Sequence, residues 1–127
     1  MLKGRCDCGD VCFDVKNARD TVTVCHCSQC RRTSGHLWAA TRANFDDLIF
    51  SKDAGLQWYH SSTLAKRGFC KHCGSSLFYR INGEEGIGIA AGCLDTPTKL
   101  QIDKHIFVED KGDYYDITDD ALQIDRY

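Results

Sequence analysis

Cys25-His26-Cys27-Ser28-Gln29-Cys30-Arg31-Arg32 puts three thiols within six residues. Thiols so crowded are not inert packing, and thiolates at this spacing suit one borderline-soft cation, with zinc the default. Two further pairs, Cys6-Asp7-Cys8 and Cys70-Lys71-His72-Cys73, supply a complete tetrahedral set without drawing on the trio. The expectation is therefore two zinc ions per chain. One would be closed and hold the fold; the other would be short of a ligand.

The closed set is the more specific signal. Gly9 follows Cys8 and Gly74 follows Cys73. In a zinc knuckle the chain folds back so that backbone N–H groups point at the sulfurs, and the residue after the second cysteine needs a positive φ. Cys6, Cys8, Cys70 and Cys73 then staple an N-terminal strand to the second half of the chain, which serves a small core well. A thioredoxin-like dithiol at Cys70 and Cys73 would want a helix starting at the motif, but Gly74-Ser75-Ser76 leads into a strand instead.

Cys25, Cys27 and Cys30 form the open set. Cys93, His26 or His36 could close it, and the alternative is then a second structural zinc with four protein ligands. Left open, a zinc with three thiolates carries a net charge of about −1 and is a poor generator of hydroxide. It suits a substrate thiol, whose pKa it lowers to give a nucleophile. Arg31 and Arg32 follow the last ligand and could grip the carboxylates of a thiol-bearing peptide, although paired exposed arginines on a turn are commonplace. A second cationic pair, Lys66-Arg67, is expected to flank the closed site. Cys12 reads as packing.

The elements that must hold these groups are short and extended. Val11, Phe13 and Val15 alternate with polar-face positions, and Thr21 to Val24 is a β-branched strand running into Cys25. Residues 28–34 read as a single helical turn. Further strands are expected at 36–41, 48–51, 56–59, 76–81, 87–91 and 100–108, with a hairpin at Asp53-Ala54-Gly55. No segment sustains a helical period, so the chain is all-β or β-rich. Gly86-Ile87-Gly88-Ile89-Ala90-Ala91 has the spacing of a dinucleotide-binding loop, but Gly92 and Pro97 stand where its helix should run.

Composition sets the bounds. At 127 residues a single domain, 1–127, is expected, and 43% hydrophobic with 27% charged residues is ordinary globular chemistry. A net charge of −2 without a basic run argues against nucleic acid as a partner. No apolar run is long enough to span a bilayer, and no signal peptide is read at the N-terminus. Nine cysteines favour metal in a reducing compartment, so the expected location is cytoplasmic.

Three segments together resemble the glutathione-dependent formaldehyde-activating enzyme family, shared with centromere protein V. They are Gly4-Arg5-Cys6-Asp7-Cys8-Gly9-Asp10-Val11, Cys25 through Arg32, and Phe69-Cys70-Lys71-His72-Cys73-Gly74-Ser75. Weaker echoes lie in Gly92-Cys93-Leu94-Asp95-Thr96-Pro97 and His105-Ile106-Phe107-Val108. The resemblance spans roughly residues 4–115. It implies an Mss4-like fold of several coiled antiparallel sheets, with Cys6, Cys8, Cys70 and Cys73 on the structural zinc and Cys25, Cys27 and Cys30 on the catalytic one. It also implies a carbon–sulfur lyase that makes or breaks an S-hydroxymethyl adduct of a glutathione-like thiol and a formaldehyde-like carbonyl compound. One departure is visible: Tyr114-Tyr115 stands where the family has a tryptophan after the late lysine.

The mechanism expected on this reading has the substrate thiol at the open position, with His26 or His36 giving a proton to the developing alkoxide. The rival from another class is a zinc-stabilised protein-interaction module with two structural zinc sites. A free coordination position separates the two.

Overall fold

Eleven strands and one α-helix make up the protein, described here as a computed structural model of residues 1–127. In chain order they are β1 (Leu2–Arg5), β2 (Cys12–Val15), β3 (Thr21–Cys25), α1 (Ser28–Ser34), β4 (Trp38–Asn44), β5 (Leu48–Lys52), β6 (Leu56–Tyr59), β7 (Ala65–Cys70), β8 (Ser76–Ile81), β9 (Gly86–Ala90), β10 (Gln101–Ile106) and β11 (Leu122–Gln123). The β-rich expectation is met, and no helix is long and apolar enough to cross a membrane.

Alternation builds the small sheet. Phe13 and Val15 of β2 are buried while Cys12 and Asp14 are not, the period of two that a half-buried strand requires. β2 pairs antiparallel with β1 and β5 to give the order β1-β2-β5. The remaining eight strands run β11-β10-β3-β4-β9-β8-β7-β6. At its centre β9 has Ile87, Gly88, Ile89 and Ala90 all buried, because β4 and β8 flank it and both faces are covered. The Gly-rich stretch at 86–91 is thus a central strand, as the missing helix signal required.

Phe13 and Phe78 bring the two sheets together, with ring centroids 5.1 Å apart and Phe50 close to both. Leu77, Phe78, Ile87 and Ile89 are fully buried around them. At roughly 1.5–3 kcal/mol for each large side chain taken from water, this cluster is the main apolar contribution to stability.

Two expectations are corrected. β5 and β6 do not form a hairpin across Asp53-Ala54-Gly55; β5 pairs with β2 and β6 with β7, so the turn passes the chain from one sheet to the other. The turn chemistry was legible, but not the choice of partner. Nor are the sheets wholly antiparallel, since β10 pairs parallel with both β3 and β11. β1, β7 and β11 were not foreseen. β7, Ala-Lys-Arg-Gly-Phe-Cys, lacks β-branched residues and breaks alternation at Gly68, where a Cβ would meet Phe78 at 2.9 Å and Trp58 at 3.0 Å.

Candidate metal centres and their surroundings

The loop after β1 brings Cys6 and Cys8, and the end of β7 with the following turn brings Cys70 and Cys73. Gly9 and Gly74 have φ of 85° and 80°, the left-handed conformation that the two knuckles demand. The four sulfurs lie within 4.8 Å of one another. Cys8 Sγ is 3.7 Å from both Cys6 Sγ and Cys70 Sγ, against about 3.8 Å between sulfurs placed tetrahedrally at about 2.3 Å from a zinc ion. The donor set therefore fits such a cation without rearrangement. Val11 N–H donates to Cys6 Sγ at 3.3 Å, and Ser75 Oγ lies 3.1 Å from Cys73 Sγ, where it holds that thiol down at about 5.

The second cluster is built where β3 turns into α1. Cys25 ends the strand, paired with Trp38 of β4. Cys27 caps the helix: its Sγ accepts from Cys30 N–H at 3.3 Å, so a thiolate there meets the positive end of α1. Gly35, at φ 86°, closes the helix after two turns by donating its N–H to Arg31 O. The sulfurs of Cys25, Cys27 and Cys30 lie within 4.8 Å of one another, and no fourth histidine, cysteine or carboxylate donor joins them. The contact with Cys25, followed by the Arg67 guanidinium, holds Cys30 down at about 6, and the same contact pushes Cys25 up.

The groups expected to close or serve this trio are placed as follows. Cys93 Sγ donates to Ala90 O at 3.0 Å and lies outside the sulfur cluster. His36 is exposed, with Nδ1 2.6 Å from Tyr114 Oη. His26 is fully buried, turned away from the sulfurs that flank it in sequence, with Nε2 on His105 and Nδ1 on Tyr115 Oη. Burial, then the neighbouring His105, lowers its pKa to about 4, so near neutral pH it is an uncharged link between its neighbours rather than a store of free protons. Arg31 is half-buried and Arg32 exposed, and neither forms an ion pair.

Arg67 is the principal surprise. It does not flank the four-thiol site; it is buried against the trio. Its Nη2 lies 3.1 Å from Gln29 Oε1 and 3.5 Å from Cys30 Sγ. The guanidinium carbon is 5.0 Å from the Tyr79 ring centroid and 5.8 Å from that of Trp38. The cause is the strand order: β7 is joined through β8 and β9 to β4, which returns Arg67 to the trio's side of the sheet. Sequence spacing alone contains no sign of that. A cavity of about 690 Å³ adjoins Arg67, lined also by Thr33, Gln57, Tyr59, His60 and Ser76, and no acidic residue borders it.

Comparison with known proteins points one way. A family model described as glutathione-dependent formaldehyde-activating enzyme matches residues 1–110. A Schizosaccharomyces pombe protein described as an uncharacterized lyase is 27% identical over 115 residues, or 90% of this chain and 83% of that one. A crystal structure of a Rhodobacter sphaeroides protein is similar with a TM-score of 0.59 and 30% identity, covering 79% of this chain and 98% of that one.

Proposed function

The chain belongs to the glutathione-dependent formaldehyde-activating enzyme family, and from that premise we propose a zinc-dependent carbon–sulfur lyase acting within a single cytoplasmic domain, 1–127. Its substrates on this reading are a glutathione-like thiol and a small aldehyde of the formaldehyde class. The observation that carries the reading is the trio Cys25, Cys27 and Cys30, clustered with no fourth protein donor. Zinc held there would supply a coordination position for a thiol sulfur and lower the pKa of that thiol.

The atoms balance simply. In the forward direction a sulfur–carbon bond forms, the carbonyl π bond becomes an O–H bond, and the thiol's proton is the one finally carried by oxygen. The protein's own residues set the stage. Cys6, Cys8, Cys70 and Cys73 would hold a structural ion joining the loop after β1 to the end of β7. Arg32 is exposed and Arg31 half-buried, neither in an ion pair, and the two suit the carboxylates of the thiol substrate. His26, with both ring nitrogens engaged in hydrogen bonds, positions the loop. His36, exposed and with no protein partner at Nε2, is the better placed of the two histidines to move a proton.

The test is metal stoichiometry combined with X-ray absorption at the zinc edge, with and without glutathione. Two ions per chain and an added sulfur when glutathione is present are expected. A second ion already saturated by protein ligands would instead favour the interaction-module reading.

A further inference from the structure

Arg67 is 7% exposed, and no carboxylate lies within ion-pair distance of its guanidinium. Its Nε and Nη1 are buried without any partner at all. A buried guanidinium in that position is costly unless something nearby is negative. The one group in contact with it that can carry negative charge is Cys30, whose Sγ lies 3.5 Å from Nη2. Trp38 and Tyr79, adjacent to each other with ring centroids 6.4 Å apart, pack beside the guanidinium, and Gln29 accepts from one edge of it.

The charge count explains why a protein would keep a cation there. A divalent ion with three thiolates carries about −1, and a fourth thiolate would take the half-buried cluster to about −2. Such a site disfavours the very ligand that the proposed chemistry requires. A fixed positive charge in contact with Cys30 offsets the added negative charge, and its effect is amplified where water is excluded. Arginine suits the task better than lysine, because it stays charged when buried and its planar fork stacks on aromatic rings.

We propose that Arg67 is a positioning residue that makes the fourth position of the Cys25–Cys27–Cys30 site selective for anionic ligands, thiolates above all, over neutral ones. This rests on the open position proposed above and adds a cause for its preference. No carboxylate pairs with Arg67, so its charge is left for the cluster it touches.

The test uses the cobalt(II)-loaded protein, whose visible absorption reports the ligands directly, without turnover. The probes are 2-mercaptoethanol, which binds as a thiolate, releases its proton to buffer and has no carboxylate, and imidazole, which binds neutral. Arg67→Met should weaken 2-mercaptoethanol binding by about tenfold or more while moving imidazole by less than about threefold. Arg67→Lys should recover much of the thiol affinity. Should Arg67→Met fail to load metal, Arg67→Gln, which keeps an amide donor for Gln29, carries the same comparison. Equal losses for both probes, or none for either, would overturn the inference and leave the open position standing. A wild-type protein whose spectrum does not respond to thiol would sink both.

Discussion

His26 Nε2 and His105 Nδ1 lie 2.8 Å apart, and Asp119 fixes which of them donates. Both carboxylate oxygens of Asp119 are 3.0 Å from His105 Nε2 and can only accept, so the His105 proton sits there. His105 Nδ1 is then bare and accepts from His26 Nε2–H, which leaves His26 Nδ1 to accept from the Tyr115 hydroxyl. This tautomer assignment follows from the network. The chain of four residues ties the loop carrying the trio to β10 and to the segment after it. Tyr114-Tyr115 stands where the resemblance leads one to expect a tryptophan, and Tyr115 donates a hydrogen bond to His26 Nδ1.

His26→Phe should therefore be among the most destabilising single changes outside the cysteines. It leaves His105 Nδ1 and the Tyr115 hydroxyl without their partner, at about 1–3 kcal/mol for each buried unmet group. Tyr115→Phe leaves only the buried His26 Nδ1 unmet and should cost about 1–3 kcal/mol, less than His26→Phe. Urea unfolding of the two variants decides it; equal small losses would mean that the four residues are not energetically linked.

Gly55 reaches the four-thiol site from outside it. A Cβ on Gly55 would lie 2.7 Å from Cys70 Sγ and 3.2 Å from the Cβ of Asp10. Gly55→Ala must then displace a sulfur that belongs in the tetrahedron, and because metal binding and folding are linked there, both should weaken. We expect the Cys6–Cys8–Cys70–Cys73 ion to be lost to a chelator at least tenfold faster than from wild type. Unchanged release would mean that Cys70 has room the structure does not show.

Cys70→Ser should be far more damaging to folding than Cys27→Ser. The first opens a site that joins β1 to β7 across 62 residues of sequence, whereas the second touches a local loop at the start of α1. Thermal unfolding with metal content measured in parallel makes the comparison. Equal loss of stability would assign a structural role to both clusters.

The cysteine clusters were legible because the ligands of each half-site are neighbours in the chain: Cys6 with Cys8, Cys70 with Cys73, and the trio within one loop. The strands around them were legible where alternation was clean, as at Phe13 and Val15 or Val22 and Val24. What escaped depended on distant pairing. Arg67 reaches the trio, and Tyr115, His105 and Asp119 the His26 network, only through the order of the large sheet and the course of the C-terminal segment. His105 sits on β10, whose parallel pairing with β3 sets Val24 opposite it, and a parallel partner leaves no turn signal in the sequence. The fully buried His26 was read as a candidate acid because its sequence neighbours are ligands; two hydrogen-bond partners, at positions 105 and 115, place its ring elsewhere.

Arg31→Ala with Arg32→Ala should discriminate between thiols rather than abolish their binding. Neither side chain has an ion-pair partner to lose, so zinc content should stay at the wild-type level. Glutathione, with its carboxylates, should bind about tenfold more weakly, while 2-mercaptoethanol should be unaffected. Calorimetric titration of both thiols separates carboxylate recognition from the charge effect assigned to Arg67. A matching loss for both thiols would mean that the arginines act through the cluster and not on the substrate.

The last prediction concerns the open position. If three thiolates hold the second ion and no protein group completes its shell, a small thiol should add a fourth sulfur at about 2.3 Å. It binds as a thiolate yet is mostly protonated when free near neutral pH, so close to one proton per site should be released. Cys93 and His36 are the side chains that could pre-empt this, but Cys93 Sγ is bonded to Ala90 O and His36 Nδ1 to Tyr114 Oη. Cys93 would have to abandon its partner to reach the ion, and His36 is not among the donors clustered with the trio. Calorimetry in buffers of different ionisation enthalpy counts the proton, and the X-ray absorption edge counts the sulfurs. With the protein saturated in zinc, no proton release and an unchanged shell would identify the second ion as structural. The lyase reading would then fall, while the four-thiol staple and the sheets it joins would stand.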